Sequence, residues 1–384
     1  MVVASRVDAG SARLALAQPV ISDEDRRAVA EAVASGRVSG DAPVVGRFED
    51  AFARWCGVGH GVATGSGSAA LRLALASLGI GPGDEIVIPS FSRVAVHHAV
   101  AQLGATPVLA DSRLGTCNVD PDAVAAAVGP HTAAIVAVHT HGLPCDMAVL
   151  ARIAHRGGLA LVEDAAEAHG ATFRGERAGS LADAAAFSFS SHRIVTCGEG
   201  GMLVTDDRSI AEAARRIGDL GRIPGSVERY ESVGFHDRLP AASAALGLSQ
   251  FQRVDLLAAR RRRTACAYRD AIGNIAGLWL PPLRTDRSGS DGTFAVRVDE
   301  RFGEDRDALA RRLATAGVET RSFYVPVHRQ PFWDGPREAP VADVLWENGL
   351  LLPSGAQVRD EDAARVAALV RAGSAEERTA AMGG

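Results

Sequence analysis

Short apolar segments alternate with alanine-rich segments between residues 61 and 205, and this alternation limits the fold more than any other feature of the chain. The apolar segments have the length of strands, and the alanine-rich segments, such as 69–78 and 94–103, have the length of helices. Strands that are apolar throughout and separated by helices are typical of a mostly parallel sheet covered on both faces, so we predict an α/β fold. The predicted strands are 85–89, 106–110, 133–139, 159–162, 185–189 and 201–204.

A second, smaller domain is predicted beyond the alternating region. A long helical segment over 240–272 leads to a boundary, which Pro281-Pro282 and the polar stretch 285–292 mark. The predicted α+β elements that follow are strands 293–298 and 320–324 and helices 305–316 and 360–372. We therefore predict an N-terminal arm over 1–18, a large domain over 19–272, a small C-terminal α+β domain over 273–373 and a disordered tail over 374–384.

Composition limits the partners of the chain. Its 384 residues carry a net charge of −5 and are 47% hydrophobic, which suits a globular protein with a large core. The only basic run, Arg260 to Arg263, follows two leucines on a predicted helix and is interpreted as a solvated face, so nucleic acid is not expected as a partner. No apolar run reaches the roughly 18 residues of a membrane helix, and no membrane partner is expected.

The five cysteines are odd in number and scattered, without CxxC spacing. This pattern favours neither a disulfide framework nor a zinc site. A reducing cytoplasm is the expected location, and we predict no metal. The histidine pairs His97-His98 and His139/His141 also lack the spacing of a metal site.

The chain contains no lysine, because all 41 of its Lys+Arg positions are arginine. A lysine amine can lose its proton and attack a carbonyl to form a Schiff base, whereas a guanidinium stays protonated up to a pKa of about 12 or higher. Coding bias accounts for arginine at surface positions but should not remove a catalytic nucleophile. No side chain of this protein can therefore form a Schiff base.

Six short motifs occur in order along the predicted large domain. The motifs are 35–40, Phe48-Glu49, 66–71, 81–85, 162–171 and 198–201. Together they resemble the DegT-type sugar aminotransferases, which are fold-type-I enzymes dependent on pyridoxal phosphate. The resemblance extends from about Pro19 to Pro353 and includes Arg321 and Pro326-Val327-His328. It implies a fold-type-I large domain and a homodimer with active sites at the interface.

The resemblance also implies a cofactor site. Gly67 and Ser68 would hold the cofactor phosphate at a helix N-terminus, where free N–H groups favour anions, although an ordinary capped turn is the alternative. Asp164, at the end of a buried strand, would hold the pyridinium nitrogen protonated, and Glu167 would face the same site. Ser188 matches a serine near the phosphate, but it could equally be an inward strand residue.

Three positions depart from the family pattern. Arg193 stands where the family has its Schiff-base lysine. Related sugar dehydratases, which use pyridoxamine phosphate, have histidine at that position, whereas here His192 lies one residue earlier and, on a strand, would face the opposite side. Arg93 replaces an aromatic residue that stacks on the pyridine ring, and His236 replaces an asparagine that reaches a phosphate across the dimer interface.

These departures predict a changed pocket. Arginine binds phosphate or carboxylate, and histidine moves protons near neutral pH. The alternative is that Arg93 and Arg193 pair with Asp164, Glu167 or Glu199 in an inert ionic network. The predicted catalytic residues are His192, Arg193, Glu199 and His236, and the predicted substrate-binding residues are Arg93, Arg238 and His328.

The function we expect from the sequence is acid–base chemistry without a Schiff-base lysine. It would be a dehydration, isomerisation or cyclisation of a sugar, cyclitol or related small polar metabolite, anionic or nucleotide-linked, rather than standard transamination. One alternative is a pyridoxamine-phosphate-dependent enzyme similar to the sugar dehydratases, with His192 as base. Another is a catalytically inactive homologue that binds a partner enzyme. The expected cofactor is pyridoxamine or pyridoxal phosphate held without a covalent bond, or none.

Overall fold

The sheet that dominates the protein has seven strands and forms the scaffold of the large α/β unit. The computed structural model describes residues 13–382, so most of the predicted arm lies outside the described residues. The strand order in the sheet is β1-β9-β8-β5-β4-β2-β3. The first nine strands are β1 (His60–Thr64), β2 (Glu85–Pro89), β3 (Thr106–Ala110), β4 (Thr132–Val138), β5 (Ala160–Asp164), β6 (Thr172–Phe173), β7 (Glu176–Arg177), β8 (Ala184–Ser188) and β9 (Gly201–Thr205).

Six of these seven strands run in the same direction, and the predicted mostly parallel α/β sheet is confirmed. β9 is the exception, since it pairs antiparallel with both of its neighbours, β1 and β8. The apolar sequence of the strands matches their position, because β2, β4, β8 and β9 are buried along nearly their whole length. Pro107 is tolerated in β3 because this strand lies at the edge of the sheet.

Helices cover both faces of the sheet. One face packs against α3, α4 and α7, and the other packs against α2, α5, α6 and α8. The helices are α1 (Asp23–Ala34), α2 (Pro43–Cys56), α3 (Gly67–Ser77), α4 (Val94–Ala101), α5 (Pro121–Ala127), α6 (Met147–Gly157), α7 (Arg208–Gly218), α8 (Ala241–Phe251), α9 (Val254–Ile272), α10 (Arg306–Thr315), α11 (Pro340–Asn348), α12 (Asp360–Arg371) and α13 (Ala375–Met382). No described helix is long and apolar enough to cross a membrane.

The C-terminal part forms a second, antiparallel sheet with its own core. Its order is β10-β12-β14-β13, from β10 (Leu278–Trp279), β12 (Phe294–Val298), β13 (Arg321–Ser322) and β14 (Gly349–Leu352), while β11 (Arg287–Ser288) pairs with β6 instead. Helices α9, α10 and α12 pack on this sheet. The predicted strands 293–298 and 320–324 are both present, whereas β14, at the centre of the sheet, was not predicted.

Helix α9 joins the two cores, because Leu257 packs in the large unit while Tyr268 and Ile272 pack in the small one. The helical segment predicted over 240–272 is interrupted at residues 252 and 253, between α8 and α9. Arg261 lies on the inward face of α9 and is 1% exposed. The interpretation of the whole arginine run as a solvated face is therefore wrong at Arg261.

The segment after Gly373 was predicted to be disordered, but it forms helix α13 as far as Met382. Residues 383 and 384 lie outside the described residues.

Candidate active site

The chemically active side chains follow the carboxyl ends of the parallel strands. Because these ends meet at one edge of a parallel sheet, residues distant in sequence come together there. Arg93 follows β2, His141 follows β4 and Asp164 ends β5, with Glu167 one turn later. The loop after β8 carries Arg193 to the same edge.

A buried carboxylate, Glu167, is the centre of the site. Its Oε1 accepts hydrogen bonds from Arg93 Nε at 3.1 Å, from Arg93 Nη2 at 2.9 Å and from Arg193 Nη1 at 2.8 Å. The hydroxyl of Tyr324 lies 2.9 Å from both Glu167 oxygens. We call Arg93, Glu167, Arg193 and Tyr324 the Glu167 cluster. The alternative in which Arg93 and Arg193 enter an ionic network is therefore present, with Glu167 as the partner.

The two arginines keep Glu167 ionised. Burial by itself would raise the pKa of this carboxyl, but Arg93 and Arg193 lower it well below its ordinary value. The Tyr324 pKa is raised, first by burial and then by the neighbouring Glu167 charge, so the phenol is a hydrogen-bond donor at neutral pH. Burial also raises the pKa of Asp164, whose Oδ1 accepts the Ala166 N–H at 3.0 Å.

A side chain of helix α9, Arg261, holds the backbone of the segment that carries Arg193 through hydrogen bonds. Arg261 Nη2 donates to the carbonyl oxygens of His192 at 3.1 Å and of Arg193 at 2.7 Å, and Arg261 Nη1 donates to the carbonyl of Gly292. The side chain of Arg261 is fully buried, and burial followed by the charge of Arg193 lowers its pKa to about 10. Arg261 therefore fixes the backbone at Arg193, the position at which the family has its Schiff-base lysine.

Two histidines close to the cluster are neutral at physiological pH. His192 Nδ1 lies 3.4 Å from Ser190 Oγ, and its Nε2 has no partner among the described residues. Burial and then Arg193 lower the pKa of His192 to about 3. His141 is buried with φ of 54°, and burial lowers its pKa to about 4, so neither residue has the near-neutral pKa of an efficient general base.

Gly67 and Ser68, which were predicted to hold the cofactor phosphate, lie at the N-terminus of a helix as expected. Helix α3 begins at Gly67, and Ser66 Oγ caps it by accepting the Ala69 N–H at 3.1 Å. A Cβ atom at Gly67 would lie 2.7 Å from Ser188 Cβ, so only glycine lets the helix start this close to β8. Ser68 is exposed at the first turn. These residues form a helix N-terminus open to an anion.

Besides His192, four of the seven residues predicted as catalytic or substrate-binding lie outside the Glu167 cluster. Glu199 and His236 are exposed, and neither has an ion pair among the described residues. Arg238 is half-buried and faces Asp219, with 3.4 Å between Nε and Oδ1. His328 is fully buried, with Nδ1 2.6 Å from Ser90 Oγ and Nε2 3.0 Å from Asp343 Oδ1. With both of its nitrogens engaged by the protein, His328 is a structural link rather than a substrate contact.

His139 is likewise structural. Its Nε2 lies 2.8 Å from Glu163 Oε2, and its Nδ1 accepts the Cys145 N–H at 3.2 Å. Burial alone would lower the pKa of His139, but the neighbouring side chains of Cys145 and Glu163 raise it to about 10. Residues 13–382 contain no group of three or more metal-ligating side chains arranged around a common point.

Sequence reasoning missed three members of the site environment, Tyr324, His141 and Arg261. Tyr324 lay in a predicted strand without a local motif, and His141 was judged only as a metal ligand. Arg261 carried a usable signal, since it is four residues after Leu257 on one helical face.

The residues present do not fit a covalently held pyridoxal phosphate. Arg193 cannot supply the amine that captures the aldehyde. The space bounded by Arg93, Asp164, Glu167 and Tyr324 is a cavity of only about 10 Å³, roughly the room of one water molecule. The Glu167 cluster thus fills the volume beside Asp164 that a pyridine ring would need.

Similar proteins are named for sugar amino transfer. GDP-perosamine synthase of Caulobacter vibrioides is 36% identical over 359 residues, covering 93% of this chain and 97% of that protein. The dTDP-3-amino-3,4,6-trideoxy-alpha-D-glucose transaminase of Streptomyces venezuelae is 38% identical over 356 residues, covering 91% of each. The crystal structure of the aminotransferase TlmJ from Streptoalloteichus hindustanus superposes with a TM-score of 0.89 at 34% identity, covering 94% of this chain and 98% of that one.

These similarities correct the function expected from the sequence. Dehydration, isomerisation or cyclisation in place of transamination was wrong, and so were the dehydratase-like and inactive-partner alternatives, because the relatives over nearly the whole chain are named as sugar aminotransferases. The error came from giving one position, Arg193, more weight than the rest of the sequence.

Residues 19–371 match the DegT/DnrJ/EryC1/StrS aminotransferase family, and this range includes the whole of 19–353, over which the sequence motifs carry the resemblance. The chain is an enzyme of that family, and the predicted fold-type-I architecture is confirmed. The protein belongs to the DegT/DnrJ/EryC1/StrS aminotransferase family.

Proposed function

We propose that the protein acts in amino-sugar biosynthesis by transferring an amino group to a nucleotide-linked keto sugar. The observation that carries this proposal is the similarity, over nine-tenths of each chain, to a GDP-perosamine synthase and a dTDP-amino-sugar transaminase. A keto sugar is the substrate class because transamination replaces a carbonyl oxygen with an amino group.

The charges around the cleft support a nucleotide-linked ligand. The nucleotide diphosphate is an anion, and one arginine guanidinium can donate hydrogen bonds to two phosphate oxygens at once. Arg321 is exposed on β13 and lies near enough to His192 to contribute to lowering its pKa. Arg321 can therefore meet a diphosphate at the rim without disturbing the Glu167 cluster.

Amino transfer by this chain uses no covalent bond between the protein and a coenzyme, since Arg193 cannot form one. The choice of sugar substrate then depends on the side chains that bind and orient the sugar.

We also propose a homodimer. His236 is exposed and apart from the Glu167 cluster of its own chain, so a role in the site would require a second copy. Light scattering after size-exclusion chromatography tests this, with twice the chain mass of 39.9 kDa expected and a monomer contradicting it.

The proposed function is tested by following ¹⁵N from labelled glutamate into GDP-linked and dTDP-linked keto sugars with added coenzyme, using mass spectrometry. GDP-perosamine synthase serves as the positive control in the same buffer. A labelled amino sugar made by the unmodified chain supports the proposal. Binding of the nucleotide sugar without any label in the sugar overturns amino transfer as the reaction.

A further inference from the structure

The residues around the Glu167 cluster still fit a coenzyme, whereas the cluster itself does not. The surroundings of a coenzyme are retained, since Asp164 ends β5 and Gly67 begins α3 beside Ser188. The capturing amine and the space for the ring are both missing. Each loss is traced to a different arginine.

Arg193 accounts for the missing amine. Its guanidinium is buried, with side-chain exposure of 6%, and its Nη1 is 2.8 Å from Glu167 Oε1. Its backbone is fixed by Arg261, so the side chain leaves the loop at a defined place. A lysine at this position would start from the same anchored Cα and reach the same part of the cleft.

Arg93 accounts for the filled ring space. It is more exposed than Arg193, with 31% of its side chain accessible, and it lies 4.8 Å from the Tyr324 ring centroid. Two of its nitrogens bond Glu167, so the guanidinium lies across the cavity that Asp164 lines. Glu167 would keep Arg193 and Tyr324 as partners if Arg93 were removed.

We propose that Arg193 and Arg93 act against pyridoxal phosphate by two separate means. Arg193 prevents covalent capture because it replaces the capturing amine, and Arg93 weakens non-covalent binding of the coenzyme because it occupies the ring site. The proposal goes beyond the proposed function and rests on family membership rather than on any sugar substrate. Its tests contain no sugar, so its failure and the failure of amino transfer are distinguishable.

The absence of lysine makes the covalent test unusually clean. An introduced lysine is the only side-chain amine of the chain, and the amino terminus is the only other primary amine. Amine and aldehyde condense with loss of water, and borohydride supplies the hydride that reduces the resulting C=N bond to a stable bond. Intact-mass spectrometry and peptide mapping then locate the adduct.

The covalent test compares four proteins across the same series of pyridoxal phosphate concentrations. Unmodified protein should carry no side-chain adduct, Arg193→Lys should carry one at the introduced residue, and the double variant Arg93→Ala/Arg193→Lys should reach half-modification at a concentration at least tenfold lower. Arg321→Lys is the matched control, since it places an amine at the exposed rim of the same cleft. Equal modification of Arg193→Lys and Arg321→Lys would overturn the role of Arg193.

A second measurement needs no Schiff base. Pyridoxamine phosphate has an amine in place of the aldehyde, so its affinity reports the ring space alone. Calorimetry should find binding at least tenfold tighter in Arg93→Ala than in unmodified protein, with Arg113→Ala, an exposed arginine outside the site, unchanged. Equal affinities of Arg93→Ala and unmodified protein would overturn the role of Arg93. Circular dichroism confirms that each variant is folded before either test is interpreted.

Discussion

Arg261 Nη2 donates a hydrogen bond of 2.7 Å to the carbonyl oxygen of Arg193, from a side chain that is only 1% exposed. The next arginine along the same helix, Arg262, has 63% of its side chain exposed and lies 3.9 Å from Asp291. Of these two neighbouring arginines, Arg261 is therefore buried and hydrogen-bonded to the backbone, whereas Arg262 is exposed to solvent.

Arg261→Ala should lower the free energy of unfolding by about 3 kcal/mol or more, because it leaves buried carbonyl oxygens without donors and opens a cavity. Arg262→Ala should change it by less than about 0.5 kcal/mol. Urea denaturation of both variants measures the difference. Similar small losses in both would show that Arg261 does not anchor the loop.

Glu167→Gln should destabilise the protein at pH 7 by about 3 kcal/mol, since it leaves the buried Arg193 beside the partly exposed Arg93 without a counter-charge. The pKa of Glu167 is lowered on folding, so its stabilisation is fully present above the ordinary carboxyl pKa and is lost as the pH falls through the folded value. Exposed Glu199→Gln is the control. A loss below about 0.5 kcal/mol at pH 7 would contradict a charged cluster.

His169→Phe should make the stability of the protein less sensitive to acid. His169 packs among Phe52, Phe187 and Phe189, and burial lowers its pKa to about 3. Because the unfolded chain takes up this proton near pH 6.5 and the folded chain does not, stability is lost as the pH falls below 6.5. Relative to His169→Phe, the unmodified protein should lose about 2 kcal/mol between pH 7 and pH 5.

The matched control for that pH series is His155→Gln, which changes an exposed histidine. Its stability should follow the unmodified protein at each pH in urea denaturation. Parallel pH profiles for His169→Phe and the unmodified protein would mean that His169 is protonated equally in the folded and unfolded states.

Gly67→Ala should destabilise the protein by about 1–3 kcal/mol, because the new Cβ would lie 2.7 Å from Ser188 Cβ and must push α3 away from β8. The same change at Gly46 places Cβ in open space on helix α2, where alanine should stabilise by about 0.5–1 kcal/mol. Thermal unfolding compares the two. A stabilised Gly67→Ala variant would show that helix α3 does not approach strand β8 this closely at Gly67.

Six of the seven strands of the large sheet could be predicted from sequence to within two residues, because burial on both faces produces continuous apolar runs. Strand β1 was missed, since its sequence His-Gly-Val-Ala-Thr is not apolar throughout. The direction of β9 could not be predicted, since an apolar run of five residues reads the same in either direction. β14 is as apolar as the predicted strands and begins at the turn-forming pair Asn348-Gly349, so its sequence carried a usable signal that was overlooked.

The candidate site was only partly predictable. Motif order located Asp164, Glu167 and Arg193, which lie at strand ends that the topology brings together. Four consecutive residues of an α-helix cannot share one face, so the arginine run at 260–263 necessarily turns at least one side chain inward. The bond from Tyr324 to Glu167 joins residues 157 positions apart, and no local pattern indicates such a contact.

The central claim is that Arg193 replaces covalent capture of a coenzyme by an ion pair with Glu167. The most direct measurement is the visible absorption spectrum of the unmodified protein, purified in the presence of excess pyridoxal phosphate and then dialysed. The account predicts a colourless protein without the absorption band of a pyridoxal Schiff base. A yellow protein that keeps this band through dialysis and loses it on treatment with hydroxylamine would contradict the account.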